Sequence, residues 1–414
     1  MKSIDRREFL AAGSLAATGA LLSSQVVFAA APAAGESRLV LVILRGAVDG
    51  LAAVPPHGDA DYARLRGELA LAAPGGANGV LPLDGLFGLH PQLAFLHECY
   101  AAGELAVVHA VASPYRERSH FDGQDVLENG TTRPHDSQTG WLNRAPAALP
   151  RSQAQRKELG VALGQNVPLV MRGPAEIASW SPSRLATLDE DTLQRVADLY
   201  SGDRLLAHRL ADALAADAIA SGSRGMDPPQ ARGMDGSQAR AAPGAQYVEL
   251  VRAAAGFLRR DDGPRVAVFD TIGWDTHANE GGAQGLLAQR FAALDAGLSA
   301  LKGELGPVWR TTAVVLVTEF GRTAAVNGTR GTDHGTATAA FLVGGAVRGR
   351  VIADWPGLAP RSLYEGRDLA PTCDLRSVLK GVLAEHLRIP SRTLEESVFP
   401  ESRGARAARD LIRT

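Results

Sequence analysis

Residues 265–269 read Arg-Val-Ala-Val-Phe and residues 313–317 read Ala-Val-Val-Leu-Val, and these two short apolar runs enclose a long helical pattern. Between them, large apolar residues recur every three or four positions, at Leu287, Phe291, Leu294, Leu298 and Leu301. That spacing forms one face of an α-helix. Near-continuous apolar strands are typical of a parallel sheet that is covered on both faces. The pattern therefore predicts a helix that crosses over between two strands of one sheet.

The same kind of apolar run occurs four more times. These runs are Leu39 to Leu44, Leu105 to Val111, Pro168 to Met171 and Ala340 to Val343. Together the six runs predict a doubly wound α/β fold, a three-layer α/β/α sandwich with a mostly parallel central sheet. In such sheets, ligands bind beyond the carboxyl ends of the strands.

The N-terminus has the features of an export signal. Arg6 and Arg7 precede a weakly apolar run from Ala11 to Val27 and small residues from Ala29 to Ala34. This order predicts a twin-arginine signal peptide over residues 1–34, with the twin-arginine export machinery as partner and a periplasmic or secreted location. The alternative is an uncleaved membrane anchor, although the run barely approaches the roughly 20 residues that span a bilayer.

Composition limits the remaining possibilities. The chain has 414 residues, is 45% hydrophobic and has a formal net charge of −2, which indicates a globular protein and gives no support for nucleic-acid binding. Its two cysteines, Cys99 and Cys373, rule out a disulfide framework and a cysteine-based zinc site. They either pair with each other or serve as small buried hydrophobic residues.

Residues 35–414 are predicted to form one α/β domain. Within it, residues 224–231 and 232–239 form a short tandem repeat in a Gly/Ala/Pro/Ser-rich setting. Because such a composition cannot build a core, we predict a flexible surface loop at about 220–245.

Acidic and imidazole side chains follow the predicted strands. Asp49 follows the first run, Asp275 and His277 follow the run at 265–269, and Glu319 follows the run at 313–317. The loop beyond Glu319 contains the adjacent pair Asp333 and His334. Mixed oxygen and nitrogen ligands at one sheet edge suit a divalent metal ion.

Each of these residues also has a structural interpretation. Asp49 is a candidate helix cap, Glu319 a candidate partner of Arg322, and His277 a candidate core histidine. Asp333, in turn, is a candidate for orienting His334 within a polar turn.

Five short motifs occur in an order that resembles a known family. They are Asp-Gly-Leu at 49–51, Arg-Ser-His-Phe-Asp at 118–122, Gly-Trp-Asp-Thr-His at 273–277, Glu-Phe-Gly-Arg-Thr at 319–323 and Gly-Thr-Asp-His-Gly-Thr at 331–336. The chain resembles an exported bacterial family known as domain of unknown function 1501, which itself resembles the alkaline phosphatase and sulfatase superfamily. The second resemblance implies a central sheet, one or two divalent metal ions, an Asp ligand after the first strand, and a nucleophile at a following helix start.

The resemblance implies a ligand set for this chain. Asp49 matches the first-strand ligand, and Asp275 with His277 matches an Asp-x-x-x-His pair, although the spacing here is Asp-x-His. For the rest, either Asp333 and His334 form the Asp-His pair, or Glu319 replaces the Asp and His334 is the later histidine. We prefer the second arrangement because Glu319 directly ends an apolar strand. The metal implied is zinc, calcium, magnesium or manganese.

The resemblance also places Ser119 in the nucleophile region, and His120 is then a ligand or a general acid. A serine hydroxyl attacks phosphorus or sulfur only when a metal or base activates it. Alternatively, Ser119 caps a helix that runs through Gln124 to Leu127. The chain has no Cys-x-Pro-x-Arg box, which argues against a formylglycine sulfatase.

Arginine recognises phosphate and sulfate through its bidentate fork. The candidates for substrate binding are Arg45, Arg118, Arg322, Asn143 and Arg144, with structural ion pairs as the alternative. Seven further histidines lack a motif, namely His57, His90, His97, His109, His135, His208 and His386. Asp374 is predicted to cap the helix that contains Val378, Val382 and Leu383.

The combined prediction is an exported metal-dependent hydrolase of phosphate or sulfate esters on small molecules or polymers. The alternatives are a periplasmic binding or assembly protein that keeps the fold, and a metal-dependent mutase or transferase.

Overall fold

The computed structural model describes residues 37–147, 160–164, 166–181, 190–200, 202–222, 243–261 and 263–413. The predicted signal at 1–34 lies outside the described residues, as does most of the predicted loop at 220–245, since one helix ends at Gly222 and the next begins at Pro243. No helix in the described part combines the length and apolar character needed to cross a membrane.

The described strands are β1 (Arg38–Arg45), β2 (Leu81–Pro82), β3 (Gly88–Leu89), β4 (Leu105–Ala112), β5 (Gly160–Leu163), β6 (Ala178–Trp180), β7 (Val266–Ile272), β8 (Thr312–Val317), β9 (Thr338–Val343), β10 (Arg350–Ile352) and β11 (Cys373–Asp374). The described α-helices are α1 (Gly50–Ala53), α2 (Tyr62–Arg66), α3 (Ala94–Ala101), α4 (His120–Asn129), α5 (Trp141–Ala147), α6 (Glu190–Tyr200), α7 (Arg204–Gly222), α8 (Pro243–Arg259), α9 (Leu286–Leu305), α10 (Leu375–His386) and α11 (Ser391–Thr393). Short 3₁₀ segments cover Gly67–Leu69, Leu169–Met171, Gly306–Thr311 and Pro360–Ser362, and a π-helical turn covers Leu394–Val398.

Nine strands form the central sheet in the order β10-β4-β9-β8-β1-β7-β5-β6, with β11 also paired to β4. Only β9 is antiparallel to its neighbours, β4 and β8. The mostly parallel sheet of the predicted fold class is thus confirmed. The helix predicted between the apolar runs at 265–269 and 313–317 is α9. It connects β7 to β8, which lie on either side of β1.

The sheet is covered on both faces, as its strands predict. Val40, Val42 and Leu44 of β1 belong to one apolar cluster, which also contains the apolar face of α9. Leu39, Leu41 and Ile43 point to the other face, where α10 packs. Because each fully buried Leu, Ile or Phe contributes about 1.5–3 kcal/mol, these two cores hold the three layers together.

One predicted strand is wrong. Pro168 to Met171 contains a 3₁₀ turn at Leu169–Met171, and β5 and β6 occupy this side of the sheet instead. Val170 and Met171 are buried, but the backbone N–H of Val170 donates to the Glu128 side chain at 3.0 Å and not to a strand. A short apolar run has no periodicity that separates a strand from another buried segment.

Two smaller predictions concern Asp374 and the cysteines. Asp374 caps α10 by accepting a hydrogen bond from the backbone N–H of Arg376, as predicted. Cys99 and Cys373 are not bonded to each other. Cys99 is buried in the α9-side core, while Cys373 packs against the α10-side core, so the two lie on opposite faces of the sheet.

Candidate metal centre

The polar motifs meet at the carboxyl edge of the sheet. Strand register aligns Arg45 at the end of β1 with Ile272 at the end of β7, and it aligns Ile43 with Val317 at the end of β8. β9 is antiparallel and so starts at this edge, directly after the loop that contains His334. The residues after β1, the residues after β7 and the loop between β8 and β9 therefore converge here, as the strand-end rule predicts.

Three residues offer metal-ligand atoms at one point. Among the described residues, ligand atoms of His120, Asp275 and His334 all lie within 4.8 Å of one another. Asp275 Oδ1 lies 3.4 Å from His120 Nε2 and 3.2 Å from His334 Nε2. His277 joins from one side, with its Nε2 at 3.1 Å from Asp275 Oδ1 and 2.9 Å from His334 Nε2. We call these four residues the candidate metal centre, shortened below to the metal centre.

Glu319 orients His120. Its Oε1 lies 2.7 Å from His120 Nδ1 and also accepts from the Gln124 side chain at 3.0 Å and from the Gly46 backbone at 2.9 Å. A carboxylate only accepts, so in the neutral imidazole Nδ1 carries the hydrogen and Nε2 presents its lone pair to the centre. This hydrogen bond raises the pKa of His120 above its ordinary value. Burial raises the pKa of Glu319, but the hydrogen bonds from His120 and Gln124 bring it below its usual value.

The other two imidazoles are held in the same way. His334 Nδ1 lies 2.8 Å from the backbone carbonyl oxygen of Arg118, and His277 Nδ1 lies 3.2 Å from Asp333 Oδ1. Asn327 donates to the same Asp333 oxygen at 3.0 Å and lowers the pKa of that carboxyl. Burial lowers the pKa of His334, which favours the neutral form that binds a metal.

Asp275 contacts each of the three histidines of the metal centre. Arg322 Nη2 lies 2.7 Å from its Oδ1, and the side chain of Arg322 is fully buried. Burial raises the pKa of Asp275, but Arg322 and the three histidines outweigh it, so the pKa lies below its ordinary value and the group is a carboxylate. The predicted alternative pairing of Arg322 with Glu319 is therefore wrong. The core-histidine alternative for His277 is also wrong, since its side chain is 44% exposed.

The donor atoms fit a divalent cation. His120 Nε2 is buried and has no hydrogen-bond partner. The Nε2 atoms of His277 and His334 lie 2.9 Å apart. If the Nδ1 of each neutral ring carries the hydrogen that its carboxylate or carbonyl acceptor calls for, two Nε2 lone pairs face each other. A bound cation removes both penalties, because it accepts these lone pairs beside the Asp275 carboxylate.

Asp49 stands apart from the centre. Its Oδ1 accepts from the backbone N–H groups of Leu51 at 2.9 Å and Ala52 at 3.0 Å, and its Oδ2 pairs with the buried guanidinium of Arg66. The capping interpretation of Asp49 is thus confirmed. The structure does not bring its oxygens into the group formed by His120, Asp275 and His334.

Ser119 lies beside the centre in sequence. It occupies the N-cap position of α4, immediately before His120, and its side chain makes no capping hydrogen bond. The predicted helix is confirmed and extends over His120–Asn129. The hydroxyl of Ser119 is therefore not committed to the helix terminus.

The predicted substrate-binding arginines are held in ion pairs. Arg45 donates to Asp270 at 2.5 Å and to Glu128 at 2.7 Å. Arg118 contacts Glu365 at 2.5 Å and Asp368 at 2.8 Å. With Arg322 on Asp275, all three show the structural ion pairs that were the alternative prediction.

The other two candidates for substrate binding, Asn143 and Arg144, donate hydrogen bonds to backbone carbonyl oxygens instead. Asn143 is buried and donates to the carbonyl oxygens of Met171 and Ala175, each at 2.8 Å. Arg144 donates to the carbonyl oxygens of Asn129 and Val398. Burial lowers the pKa of Arg144 to about 10. Neither residue belongs to the metal centre.

Some residues of the site were not predicted. Gln124 follows His120 by four positions, a spacing that places both on one helix face and was available as a signal. Asn327, which holds Asp333, lies in an Asn-Gly turn. Glu280 and Arg66 carry no local signal, because only the fold brings them to this edge.

Comparison with known proteins places the chain in a family. No curated protein is significantly similar in sequence. The solved structures with limited similarity in fold include the following two. The lipoteichoic acid synthase LtaP from Listeria monocytogenes has 10% identity and a TM-score of 0.35, covering 87% of this chain and 74% of that chain. The C-terminal periplasmic domain of EcEptC from Escherichia coli, in complex with Zn, has 12% identity and a TM-score of 0.26, covering 77% of this chain and 76% of that chain.

At such identities and TM-scores neither structure says what this chain does. The family match is of a different kind, because it extends over residues 100–398 and so includes all four residues of the metal centre. It also includes four of the five motifs, those at 118–122, 273–277, 319–323 and 331–336, and confirms the resemblance to this family. The chain belongs to the family described as "Protein of unknown function (DUF1501)".

Proposed function

We propose that this protein is a metal-dependent hydrolase of phosphate or sulfate esters, with one divalent ion held by His120, Asp275 and His334 and bordered by His277. The observation that carries the proposal is the common orientation of the three imidazoles. Each has an acceptor at Nδ1 and turns Nε2 toward Asp275 Oδ1. Three nitrogens and one carboxylate favour zinc over calcium, magnesium and manganese, which suit sites rich in oxygen ligands.

The residues around the centre support hydrolysis. A bound divalent ion polarises an ester oxygen and activates a nearby nucleophile. Ser119 is the proposed nucleophile, since it adjoins His120 and its hydroxyl does not cap α4. Asp275 is 43% exposed, so the centre is open to an ester on a small molecule or a polymer.

Export by the twin-arginine pathway is part of the proposal. This pathway carries folded proteins, so a metal acquired in the cytoplasm would travel with the chain. Changing both Arg6 and Arg7 to Lys should retain the precursor in the cytoplasm, as cell fractionation would detect. Unchanged recovery from the periplasm would remove this assignment.

One observation favours a second candidate function, a non-catalytic metal-binding or assembly protein. The three arginines predicted to bind an anionic substrate, Arg45, Arg118 and Arg322, all have carboxylate partners. A catalytic centre would then rely on its metal to bind the anion.

Ser119→Ala separates the two functions. If Ser119 is the nucleophile, the variant should keep its metal and its melting temperature yet lose on the order of 10³-fold or more in hydrolysis of aryl phosphates, diesters or sulfates. Ser391→Ala, at the start of α11, is the matched control and should retain full turnover. Near-normal turnover by Ser119→Ala would end the nucleophile assignment. No turnover by the parent on any of these esters would favour the binding protein.

A further inference from the structure

Three ionisable side chains form a buried cluster. Asp49, Arg66 and Glu280 each have at most 1% of their side chains exposed. Arg66 Nη2 pairs with Asp49 and lies 3.6 Å from Glu280 Oε1. Removing ionisable groups from water costs free energy that pairing does not always offset, which makes this cluster a candidate for a role beyond packing.

Glu280 joins the two loops that supply the metal centre. Its Oε2 accepts from Thr276 Oγ1 at 3.0 Å and from Thr332 Oγ1 at 2.7 Å. Thr276 lies between the two centre residues of its loop, and Thr332 lies two residues before His334. A single carboxyl oxygen thus links both loops.

The backbones of the Thr276 loop and the Thr332 loop also contact each other directly. The Thr332 N–H donates to the Thr276 carbonyl at 3.2 Å. A Cβ at Gly331 would lie 2.4 Å from the backbone carbon of His277, so the chains touch directly there. Glu280 is itself fixed, because its carbonyl accepts from the N–H of Leu287 in the first turn of α9 at 3.0 Å.

The cluster also reaches the segment that follows β8, within the same loop as Thr332. Arg66 Nη1 lies 3.4 Å from the carbonyl oxygen of Thr323, next to the Arg322 that holds Asp275. Burial and the nearby Asp49 raise the pKa of Glu280 to about 8, against a smaller lowering by Arg66. Near neutral pH, glutamine is therefore a close mimic of this side chain.

We propose that Glu280 is a positioning residue for the metal centre, which sets the separation of Asp275 from His334 through Thr276 and Thr332. This inference rests on the proposed metal site but not on the proposed hydrolysis. It predicts that the hydroxyls of the two threonines matter for metal binding although neither touches the metal.

Zinc titration of the purified full-length protein against a competing chelator tests the inference. Glu280→Ala should weaken zinc binding by about 10–100-fold, as is typical when a partner of a metal ligand is lost. Glu280→Gln should stay within a few-fold of the parent, because it keeps an acceptor for both threonines. Thr276→Val and Thr332→Val preserve shape and should each weaken binding, by less than Glu280→Ala. With cobalt as the ion, the absorption spectrum should change in the Ala and Val variants and be restored in Glu280→Gln.

Asp295→Ala is the control for general destabilisation. Asp295 is a buried carboxylate that accepts from the N–H groups of Phe95 and Leu96 at the start of α3. Its removal should lower the melting temperature and leave zinc affinity unchanged. Parent-like zinc affinity in both Thr→Val variants, or an equal loss in Asp295→Ala, would overturn the positioning role. A parent that binds no zinc would overturn both this inference and the proposed function.

Discussion

At the scale of single residues, the two carboxylates that were alternative candidates for a metal ligand, Glu319 and Asp333, play the same role. Glu319 and Asp333 each hold the Nδ1 of a histidine, and neither belongs to the group of converging ligand atoms. They differ in burial, since Glu319 is fully buried and Asp333 is 55% exposed. They also hold different histidines, because His120 is a member of the converging group and His277 borders it.

Glu319→Gln should therefore cost more metal affinity than Asp333→Asn. Loss of the Glu319 carboxylate removes the partner that orients the half-buried ring of His120, and about 10–100-fold weaker zinc binding is expected. For Asp333→Asn the expected loss is smaller, since water can replace an exposed partner. Chelator competition on both variants measures the order, and the reverse order would refute these assignments.

The sequence predicted which acidic and imidazole side chains meet at this edge of the sheet. It did not predict the ion pairs that the carboxylates form. Strand-end placement brought Asp275, His277 and His334 to one edge correctly, because a parallel sheet aligns its carboxyl ends. The Arg322–Asp275 pair and the Asp49–Arg66 pair join positions 47 and 17 residues apart. Nothing local in the sequence indicates which carboxylate an arginine will meet after folding.

At the scale of elements, helix α9 packs against α8 through a glycine. A Cβ on Gly297 would lie 1.6 Å from Tyr247 Cε1 of α8, whereas no atom lies within 4 Å of a Cβ on Gly303 of the same helix. Gly297→Ala should lower the free energy of unfolding by about 1–3 kcal/mol through overpacking. Gly303→Ala should raise it by about 0.5–1 kcal/mol, since alanine favours a helix. Urea unfolding measures both, and equal effects would contradict the packing of these helices.

Elements with strong periodicity were predictable, as the five apolar positions of α9 show. The strand predicted at Pro168 to Met171 failed because its burial arises from tertiary contacts with α4 and α5 and not from pairing in the sheet. The short strands β5 and β6 were missed, since three or four residues of small and apolar type carry little pattern.

At the scale of the whole molecule, buried neutral histidines make the fold sensitive to acid. His109 is fully buried, with Nε2 at 2.9 Å from the Val54 carbonyl oxygen and Nδ1 accepting from the N–H of Ala110 at 2.8 Å. Burial lowers its pKa to about 4, against 6.5 for the ordinary side chain. Between these pH values the unfolded chain binds more protons, so stability is present above pH 6.5 and is lost as the pH falls toward 4. At about 1.4 kcal/mol per pH unit, His109 contributes about 3 kcal/mol of this loss.

His109→Gln cannot titrate in this range, which provides the test. The variant should be less stable than the parent at pH 7, and the difference in unfolding free energy should shrink as the pH is lowered to 4.5. Urea unfolding at several pH values measures it. A difference that stays constant with pH would show that His109 is not the source.

The central claim is that His120, Asp275 and His334 hold one divalent metal ion. Anomalous diffraction at the zinc edge, from crystals of the protein grown with zinc, tests this most directly. The account predicts an anomalous peak at coordination distance from His120 Nε2, His334 Nε2 and Asp275 Oδ1, which disappears in His334→Ala. Absence of a peak among these three atoms with zinc in excess, or an occupied site built from other residues instead, would contradict the claim.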